Sequence, residues 1–275
     1  MTFQKPPLND SAEDRNPPVS NRDLLILLGL FLGVVVGVVW LLGLLVNNLV
    51  WLIPTQVEKT LGHLIVPAYE RLAQPTPAQD VLNQLLQRLE QQLPEEQRQE
   101  RDYRVLYVPD ETVNALAVPG DVIIIYQGLV TQAESENELA MVLGHELGHF
   151  AHRDHLRSLG REILFRAIAA TFLGDLGALQ SVAVSGVSAI SRSHYSQSQE
   201  LQADEMGLTL LNAVYGHAGG ATDFFRRLRQ QRGSGIAFLS THPSPRNRVN
   251  KLERLIQERG YSVGKTSPLP PSLVD

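Results

Sequence analysis

Residues 141–149 read MVLGHELGH, and this stretch contains two candidate metal ligands that need a further ligand from elsewhere in the chain. The capping-box pattern at residues 135–138 (SENE) predicts that it lies on a helix. On a helix, His145 and His149 stand one turn apart on the same face and can bind one ion, while Glu146 is turned about 100° away. In the H-E-x-x-H pattern the two histidines bind zinc and the glutamate acts as general base. We therefore predict one zinc ion per chain, with Glu146 as the catalytic base.

A catalytic zinc site also needs a third protein ligand and one open position, and two residues compete to be that ligand. His155 has the spacing of the H-E-x-x-H-x-x-G-x-x-H peptidases, but His152 stands where those need a glycine to turn the chain. Glu200 lies in a second helical segment, ELQAD, from which a carboxylate can complete a His2Glu site. We favour Glu200 and expect Asp204, one turn further on, to hydrogen-bond a ligand.

An uncharged run of 23 residues from Leu24 to Val46 predicts a transmembrane helix, and its apolar character continues to Ile53. A helix of this length spans a hydrocarbon core about 30 Å thick. The alternative is a cleaved signal peptide, whose apolar region of about 7–15 residues would be shorter and would end at small residues. The length favours a retained anchor over residues 24–53.

The charges beside this segment predict its orientation. Lys5, Arg15 and Arg22 precede the segment, whereas Lys59 is the basic residue that closely follows it. Basic residues favour the cytoplasmic side of a membrane span. We therefore expect the N-terminus in the cytoplasm and the body of the protein outside it, in the periplasm of a bacterial cell.

Composition excludes several other kinds of site. The chain has no cysteine, so thiolate metal sites, disulfides and cysteine nucleophiles are excluded. The net charge of -5 gives no electrostatic reason to expect a nucleic-acid partner. Proline-rich polar residues at 1–20 and 264–275 predict disordered tails.

The remaining pattern predicts a mainly helical fold with one small sheet. Thr76 followed by Pro77 marks the start of a helix whose apolar residues keep helical spacing. Three β-branched or aromatic runs separated by Pro-containing turns predict a small antiparallel sheet: Tyr103–Val108, Thr112–Val118 and Val122–Tyr126. The predicted organisation is an anchor, a helical linker region over 55–100 and a zinc metallopeptidase domain over 101–260.

Four motifs in order make the chain resemble a known family over roughly residues 103–255. They are Asn114-Ala115 with Pro119-Gly120, His145–His149 with a downstream His155, Glu200-x-x-Ala203-Asp204, and Thr241-His242-Pro243 with Arg248-Val249. The set is similar to the membrane-associated zinc metallopeptidases that include the CaaX prenyl endopeptidase and the heat-shock protease HtpX. The resemblance implies an α+β zincin-like domain behind the membrane anchor.

The resemblance also implies roles for residues that the spacing alone does not assign. The strand with Asn114 and Ala115 would bind substrate as an added β-strand. Without the resemblance, Asn114 would be read as a turn residue. His242 and Arg248 would approach the cleft and bind substrate or stabilise the oxyanion.

These observations predict a membrane-anchored zinc endopeptidase that acts on protein substrates, as in quality control of membrane or envelope proteins. The alternative is a catalytically silent or latent member that serves as a membrane-tethered zinc-binding chaperone or adaptor. The apolar segment Ala167–Ile190 could be a second span, but Asp175 and its many small residues favour packing against the protein core.

Overall fold

The computed structural model describes residues 20–173, 195–230, 237–243 and 245–273. The predicted disordered tail at 1–20 lies almost entirely outside these ranges, as does most of the segment 167–190. Contacts divide the chain into two compact units, one ending at Leu44 and one beginning at Leu45.

A single long helix, α1 (Asn21–Leu49), begins the described chain and is followed by a 3-10 turn over Val50–Leu52. Together they form a segment of 32 residues that is long and apolar enough to cross a membrane. The large apolar side chains from Leu24 to Leu45 are exposed, as expected for a surface that faces lipid. The length and composition of α1 therefore support the predicted anchor.

The unit that begins at Leu45 is mainly helical, as predicted. Its helices are α2 (Thr55–Glu70), α3 (Pro77–Glu90), α4 (Glu95–Arg98), α5 (Gln127–Gln132), α6 (Glu136–Ala151), α7 (Asp154–Leu173), α8 (Gln197–Tyr215), α9 (Asp223–Gln230), α10 (Ala237–Thr241) and α11 (Pro245–Glu258). The predicted start of α3 is confirmed, because the Thr76 side chain accepts a hydrogen bond from the backbone N–H of Gln79.

A three-stranded sheet has the order β1-β3-β2, with β1 at Arg104–Val108, β2 at Ala115–Val118 and β3 at Val122–Tyr126. The small sheet is confirmed, but the antiparallel prediction is wrong for β1, which pairs with β3 in parallel. A tight turn returns β2 onto β3 in antiparallel register, and β3 inserts between β2 and β1. The pattern of residues along a strand can identify the strand, but it does not show which other strand it pairs with or in which direction.

The central strand β3 is buried on both faces, which explains its uninterrupted run of branched apolar residues. Ile123 and Ile125 face a core shared with α3, α6 and α8, while Ile124 faces a second cluster formed with α2. The sheet thus holds α6 on one side and α2 on the other.

Helices α6 and α8 approach each other so closely that their backbones touch. A Cβ added at Gly144 would lie 2.9 Å from Gly207 Cα, and one added at Gly148 would lie 2.7 Å from Ala203 Cα. These small residues recur every fourth position on each helix and so form one line of contact. Next to this line of contact, His145 and His149 lie on one face of α6 and Glu200 lies on one face of α8. The close approach of the helices brings these two faces together.

The C-terminal residues differ from the sequence-based expectation. The prediction of a disordered tail at 264–275 is wrong for the described residues, because they lie against α6. Ser267 N–H donates to Asn137 Oδ1 at 2.8 Å, and Ser267 O accepts from the N–H of Glu136. Leu269 and Leu273 pack against the main core. Four apolar or hydrogen-bonding contacts thus outweigh the local proline-rich composition.

A buried charged cluster fixes α2 to the rest of the unit. Glu58 is fully buried and accepts hydrogen bonds at 2.7 Å from both His155 Nε2 and Arg101 Nη1. Arg101 also pairs with Asp121 at 2.6 Å. Burial alone would raise the pKa of Glu58, but the hydrogen bonds and charges of His155 and Arg101 lower it to about 2 from an ordinary value of 4.5.

The packing of α6 on α8 predicts the effect of Gly148→Ala. Alanine is the better helix former by about 1 kcal/mol, so helix propensity alone would stabilise the protein. The added methyl group instead has to push Ala203 away, and we expect unfolding to become easier by about 1–3 kcal/mol, with weaker zinc binding.

Denaturant unfolding and zinc titration of the full-length chain measure both effects. Gly37→Ala is the matched control, because nothing lies within 4 Å of a Cβ added there. Unchanged stability and zinc affinity in Gly148→Ala would contradict the close backbone contact.

The low pKa of Glu58 predicts a specific pH dependence of stability. Because the folded-state pKa lies below the unfolded value, the stabilisation is complete above about pH 4.5 and is lost as the pH falls toward 2. We expect Glu58→Gln to lower the free energy of unfolding by about 3 kcal/mol at pH 7.

This deficit relative to wild type should shrink as the pH is lowered below 4.5. Denaturant unfolding at a series of pH values tests it, with Glu96→Gln at an exposed position as the control. A deficit that is the same at pH 7 and pH 3 would show that the charge of Glu58 is not what stabilises the cluster.

Candidate metal centre

Four side chains converge between α6, α8 and the segment after α10. His145, His149, Glu200 and His242 each offer a ligand atom, and these atoms lie within 4.8 Å of one another. None of the four side chains is measurably exposed to solvent. The structure thus brings together the three predicted metal ligands and adds His242 to them.

The two histidines of α6 are held by carboxylates on their outer nitrogens. Nδ1 of His145 lies 2.9 Å from Asp204 Oδ1, as expected for Asp204, and Nδ1 of His149 lies 3.0 Å from Asp154 Oδ2. An ionised carboxylate only accepts hydrogen bonds, so each Nδ1 is the donor. This fixes the rings with their Nε2 atoms toward each other at 3.1 Å.

This arrangement fits a bound zinc ion. Two ring nitrogens that face each other at 3.1 Å repel unless a proton or a cation lies between them. A tetrahedral zinc with Zn–N bonds of about 2.0–2.1 Å separates two nitrogens by roughly 3.3 Å. Glu200 Oε1 lies 3.4 Å from His149 Nε2, and a donor set of imidazole and carboxylate is one that zinc accepts.

The surroundings also set the charge state of these groups. Burial and the nearby Arg248 lower the pKa of His145 to about 4, so this ring is neutral at physiological pH. Burial would lower the pKa of His149 too, but hydrogen bonds to Asp154 and Glu200 raise it to about 10. His149 is therefore the charged ring of the pair and His145 the neutral one.

The carboxylate of Glu200 is held in the charged form that a ligand requires. Burial opposes its ionisation, but Arg248 and the surrounding histidines outweigh burial and keep the pKa of Glu200 well below its usual range. Arg248 Nη1 lies 2.7 Å from Glu200 Oε2 as an ion pair, although the angle is not that of a hydrogen bond. Glu200 is thus anionic in the described arrangement.

Glu146, the predicted base, is the acidic group of the site with the fewest partners. It is fully buried, and neither of its carboxylate oxygens has a hydrogen-bond partner among the described residues. Nε2 of His242 lies 3.6 Å from Glu146 Oε1. Burying unpaired carboxylate oxygens costs free energy, which is a mark of a functional rather than a stabilising group.

His242 comes close enough to act as a fourth donor. Its Nδ1 lies 3.1 Å from Glu200 Oε1 and 3.2 Å from His145 Nε2, and its ring stacks on Phe238 of α10 at 4.3 Å. A role in binding substrate or the oxyanion stays a prediction. The geometry adds that His242 can fill the position that a catalytic zinc site keeps open for water.

Arg248 is buried and committed to the carboxylates of α8. Its Nε and Nη2 donate to Asp204 at 2.8 and 2.6 Å, and its guanidinium lies over the Phe225 ring at 4.2 Å. These contacts orient Asp204 and Glu200. The predicted part in substrate binding is untested, but the contacts favour a positioning role for Arg248.

The predicted substrate strand lies at the edge of the sheet, with Ala115 as the first residue of β2. Asn114 Oδ1 accepts hydrogen bonds from the N–H of Ala115 at 3.0 Å and from Thr241 Oγ1 at 3.3 Å. Thr241 directly precedes His242, so Asn114 is connected to the metal cluster through α10. Substrate binding by Asn114 and Ala115 stays a prediction.

The rival third ligand, His155, lies outside the cluster. Its Nε2 donates to Glu58 at 2.7 Å, away from the imidazoles of α6. The chain turns at Arg153, which has a φ of 56°, and this turn starts α7 in a direction that carries His155 to α2. The geometry therefore favours Glu200 as the third ligand.

Two further residues contact the cluster: Asp154, which the sequence left open as a surface residue or a supporting group, and Tyr195, which sequence reasoning missed. Asp154 holds His149 and also accepts a 2.6 Å hydrogen bond from Gln199, the neighbour of Glu200, so it connects both ligand helices. Tyr195 stacks on the His149 ring at 3.9 Å. The position of Asp154 five residues after His149 is only a weak sequence signal for a contact with that histidine. The position of Tyr195 before Ser196 gives no such signal.

Comparison with known proteins also identifies metallopeptidases as relatives of this chain. The model of peptidase family M48 matches residues 79–256. Mitochondrial metalloendopeptidase OMA1 of Arabidopsis thaliana is 29% identical over 177 residues, which cover 60% of this chain and 35% of that protein. A putative beta-barrel assembly-enhancing protease of Vibrio cholerae is 28% identical over 174 residues, 58% of this chain and 36% of that protein.

Metalloprotease LoiP of Escherichia coli is a shorter relative. It is 30% identical over 158 residues, which cover 55% of this chain and 61% of LoiP. The chain thus spans about a third to three fifths of the length of these relatives.

The geometry predicts which third ligand the metal needs. Glu200→Gln keeps the shape of the side chain but removes its charge, and we expect zinc affinity to fall by at least about 100-fold, more than loss of an outer hydrogen-bond partner would cost. His155→Gln keeps a donor for Glu58 and should retain one zinc per chain.

Competition titration with a chelating dye measures both affinities in the full-length protein. Circular dichroism establishes that each variant is folded. A folded Glu200→Gln chain that keeps tight zinc, while His155→Gln loses it, would reverse the assignment.

Proposed function

The chain belongs to peptidase family M48, a family of zinc-dependent metallopeptidases, and from this we propose that it is a membrane-anchored zinc endopeptidase. In this proposal His145, His149 and Glu200 hold the ion and Glu146 is the general base. The observation that carries it is the buried cluster in which two imidazole nitrogens and a carboxylate face one point beside an unpaired Glu146.

When bound, zinc supplies Lewis-acid activation of water and of the scissile carbonyl. Glu146 takes the proton of the attacking water and passes it to the departing amine, which requires a free lone pair on a carboxylate oxygen. Asp204 and Asp154 keep the two imidazoles in the tautomer that offers Nε2. Arg248 keeps Glu200 charged and in place.

The substrates we propose are membrane or envelope proteins that have lost their native structure. Relatives named as a metalloendopeptidase and as a beta-barrel assembly-enhancing protease support this class. The edge strand at Ala115 supports recognition of extended backbone, a mode that reads sequence weakly. The basic residues before α1 support a catalytic unit outside the cytoplasm.

One observation favours a second candidate, a latent or silent zinc-binding member. With His242 included, four protein donors surround the site, and closed four-ligand sites are typical of structural zinc. All four are buried, so a substrate has to displace part of the covering structure. A latent peptidase would be consistent with both candidate functions: it would become active when His242 moves away from the cluster and opens a position for water.

The base is tested by Glu146→Gln, which keeps the size of the side chain but cannot accept a proton. We expect wild type and variant each to bind one zinc, and casein cleavage by the variant to fall by at least about 100-fold. Cleavage assays on the full-length chain in detergent, with zinc content measured in the same samples, give the comparison.

Glu111→Gln, at an exposed position, is the control and should cleave as wild type does. If wild type does not cleave but His242→Ala does, the chain is a latent peptidase. If neither cleaves while both hold zinc, the chaperone or adaptor function replaces the proposal.

A further inference from the structure

A polar cleft of about 320 Å³ lies beside the C-terminal end of α1, and none of its described lining residues is one of the four residues of the metal cluster. Its walls include Asn47 and Trp51 from the end of the apolar segment, Arg157 and Arg161 from α7, and Ser196 and Ser198 from the start of α8. We propose that this cleft binds a phosphate group, as carried by the headgroup of an anionic phospholipid. The proposal does not depend on the peptidase activity.

The charge of the cleft is the first support. Two guanidinium groups line it, and no carboxylate is among the lining residues that the structure describes. Arg157 contacts Asp154 at 3.2 Å, but its Nε is buried without a hydrogen-bond partner among the described residues. Nη2 of Arg161 is likewise buried and unpartnered in the described chain. Such donors cost free energy unless an acceptor binds there.

Arg161 is the stronger indication of the two. Burial lowers its pKa; the charge of Asp154 opposes this effect in part, and the charge of Arg157 adds to it. A cation in this position gains from any anion that enters the cleft. Guanidinium groups bind phosphate oxygens in pairs of parallel hydrogen bonds, which makes arginine well suited to this ligand.

The start of α8 adds donors to the same cleft. Ser196 is the N-cap of this 19-residue helix, and Ser198 lies in its first turn. The N-terminal end of a helix carries a partial positive charge that favours phosphate. The two serine hydroxyls are hydrogen-bonded to each other at 3.0 Å, which leaves one O–H free to donate to an anion. The two arginines and the start of α8 therefore line the same cleft.

The position of the cleft indicates where the phosphate comes from. Asn47 and Trp51 belong to the last residues of the 32-residue apolar segment, where a membrane helix reaches the headgroup region. The Trp51 ring lies under the guanidinium of Arg157 at 5.3 Å. A volume of about 320 Å³ admits a headgroup rather than a whole lipid. Free phosphate shares the same chemistry.

The test uses the full-length chain with Trp40→Phe, which leaves Trp51 as the single tryptophan and a reporter in the cleft. The protein in neutral detergent is titrated with short-chain phosphatidylglycerol, with phosphatidylcholine and with inorganic phosphate. We expect saturable binding of phosphatidylglycerol, and Arg161→Gln to weaken it about tenfold or more. The control Arg254→Gln, at an exposed position of α11, should bind as the parent does.

The remaining outcomes decide the source and the site. Phosphate that competes with phosphatidylglycerol shows that the anion alone suffices, and phosphatidylglycerol without competition shows that the lipid is required. Equal binding by Arg161→Gln and its parent, or binding of phosphatidylcholine as tight as that of phosphatidylglycerol, overturns the proposal.

Arg161→Lys keeps the charge and provides a second test if the glutamine variant does not fold. It should bind phosphatidylglycerol a few-fold less tightly than the parent, because lysine lacks the planar fork of donors. A lysine variant that is folded and binds no differently from the parent would overturn the role of Arg161.

Discussion

The backbone contact between α6 and α8 is the constraint on which the candidate site depends. Gly144 and Gly148 meet Gly207 and Ala203 at distances that leave no room for a larger side chain on either helix. Each helix carries its small residues one turn apart, and its functional residues follow the same spacing on the adjacent row. The packing that seals the core therefore also sets the separation between the histidines and Glu200. Two glycines within a helix lower its stability. They also allow the close approach that brings donors from both helices to one ion.

Charge is the second constraint, because the site is buried. Arg248 offsets Glu200 and Asp204, while His145 and His149 each donate to a carboxylate. Glu146 alone has no hydrogen-bond partner among the described residues of this group. A network that pairs every other acid but leaves one unpaired is expected where that acid has to accept a proton during the reaction. Asp154 extends the network to Gln199 on α8, so both ligand helices share one outer carboxylate.

The sequence predicted those parts of the molecule that have a local cause. Helical spacing in residues 141–149 indicated the face with both histidines, and the uncharged run from Leu24 to Val46 indicated a membrane span. The order of the strands was not predictable, because β3 joins β1 in parallel through pairing that no local pattern encodes. His242 was known as part of a motif, but its position beside Glu200 depends on α10 packing against Val113 and Asn114. The contact of Asp154 with His149 was not assigned, because the left-handed turn at Arg153 that directs Asp154 toward His149 contains no glycine to mark it.

The central claim is that one zinc ion binds between the imidazoles of α6 and the carboxylate of Glu200. Zinc K-edge X-ray absorption on the full-length chain tests it most directly. The account predicts one zinc per chain, a first shell of nitrogen and oxygen at about 2.0–2.1 Å, and multiple scattering from at least two imidazoles. The imidazole signal should persist in Glu146→Gln and be lost when His145 and His149 are both replaced by alanine. A well-folded chain without stoichiometric zinc, or a zinc shell without imidazole, would contradict the account.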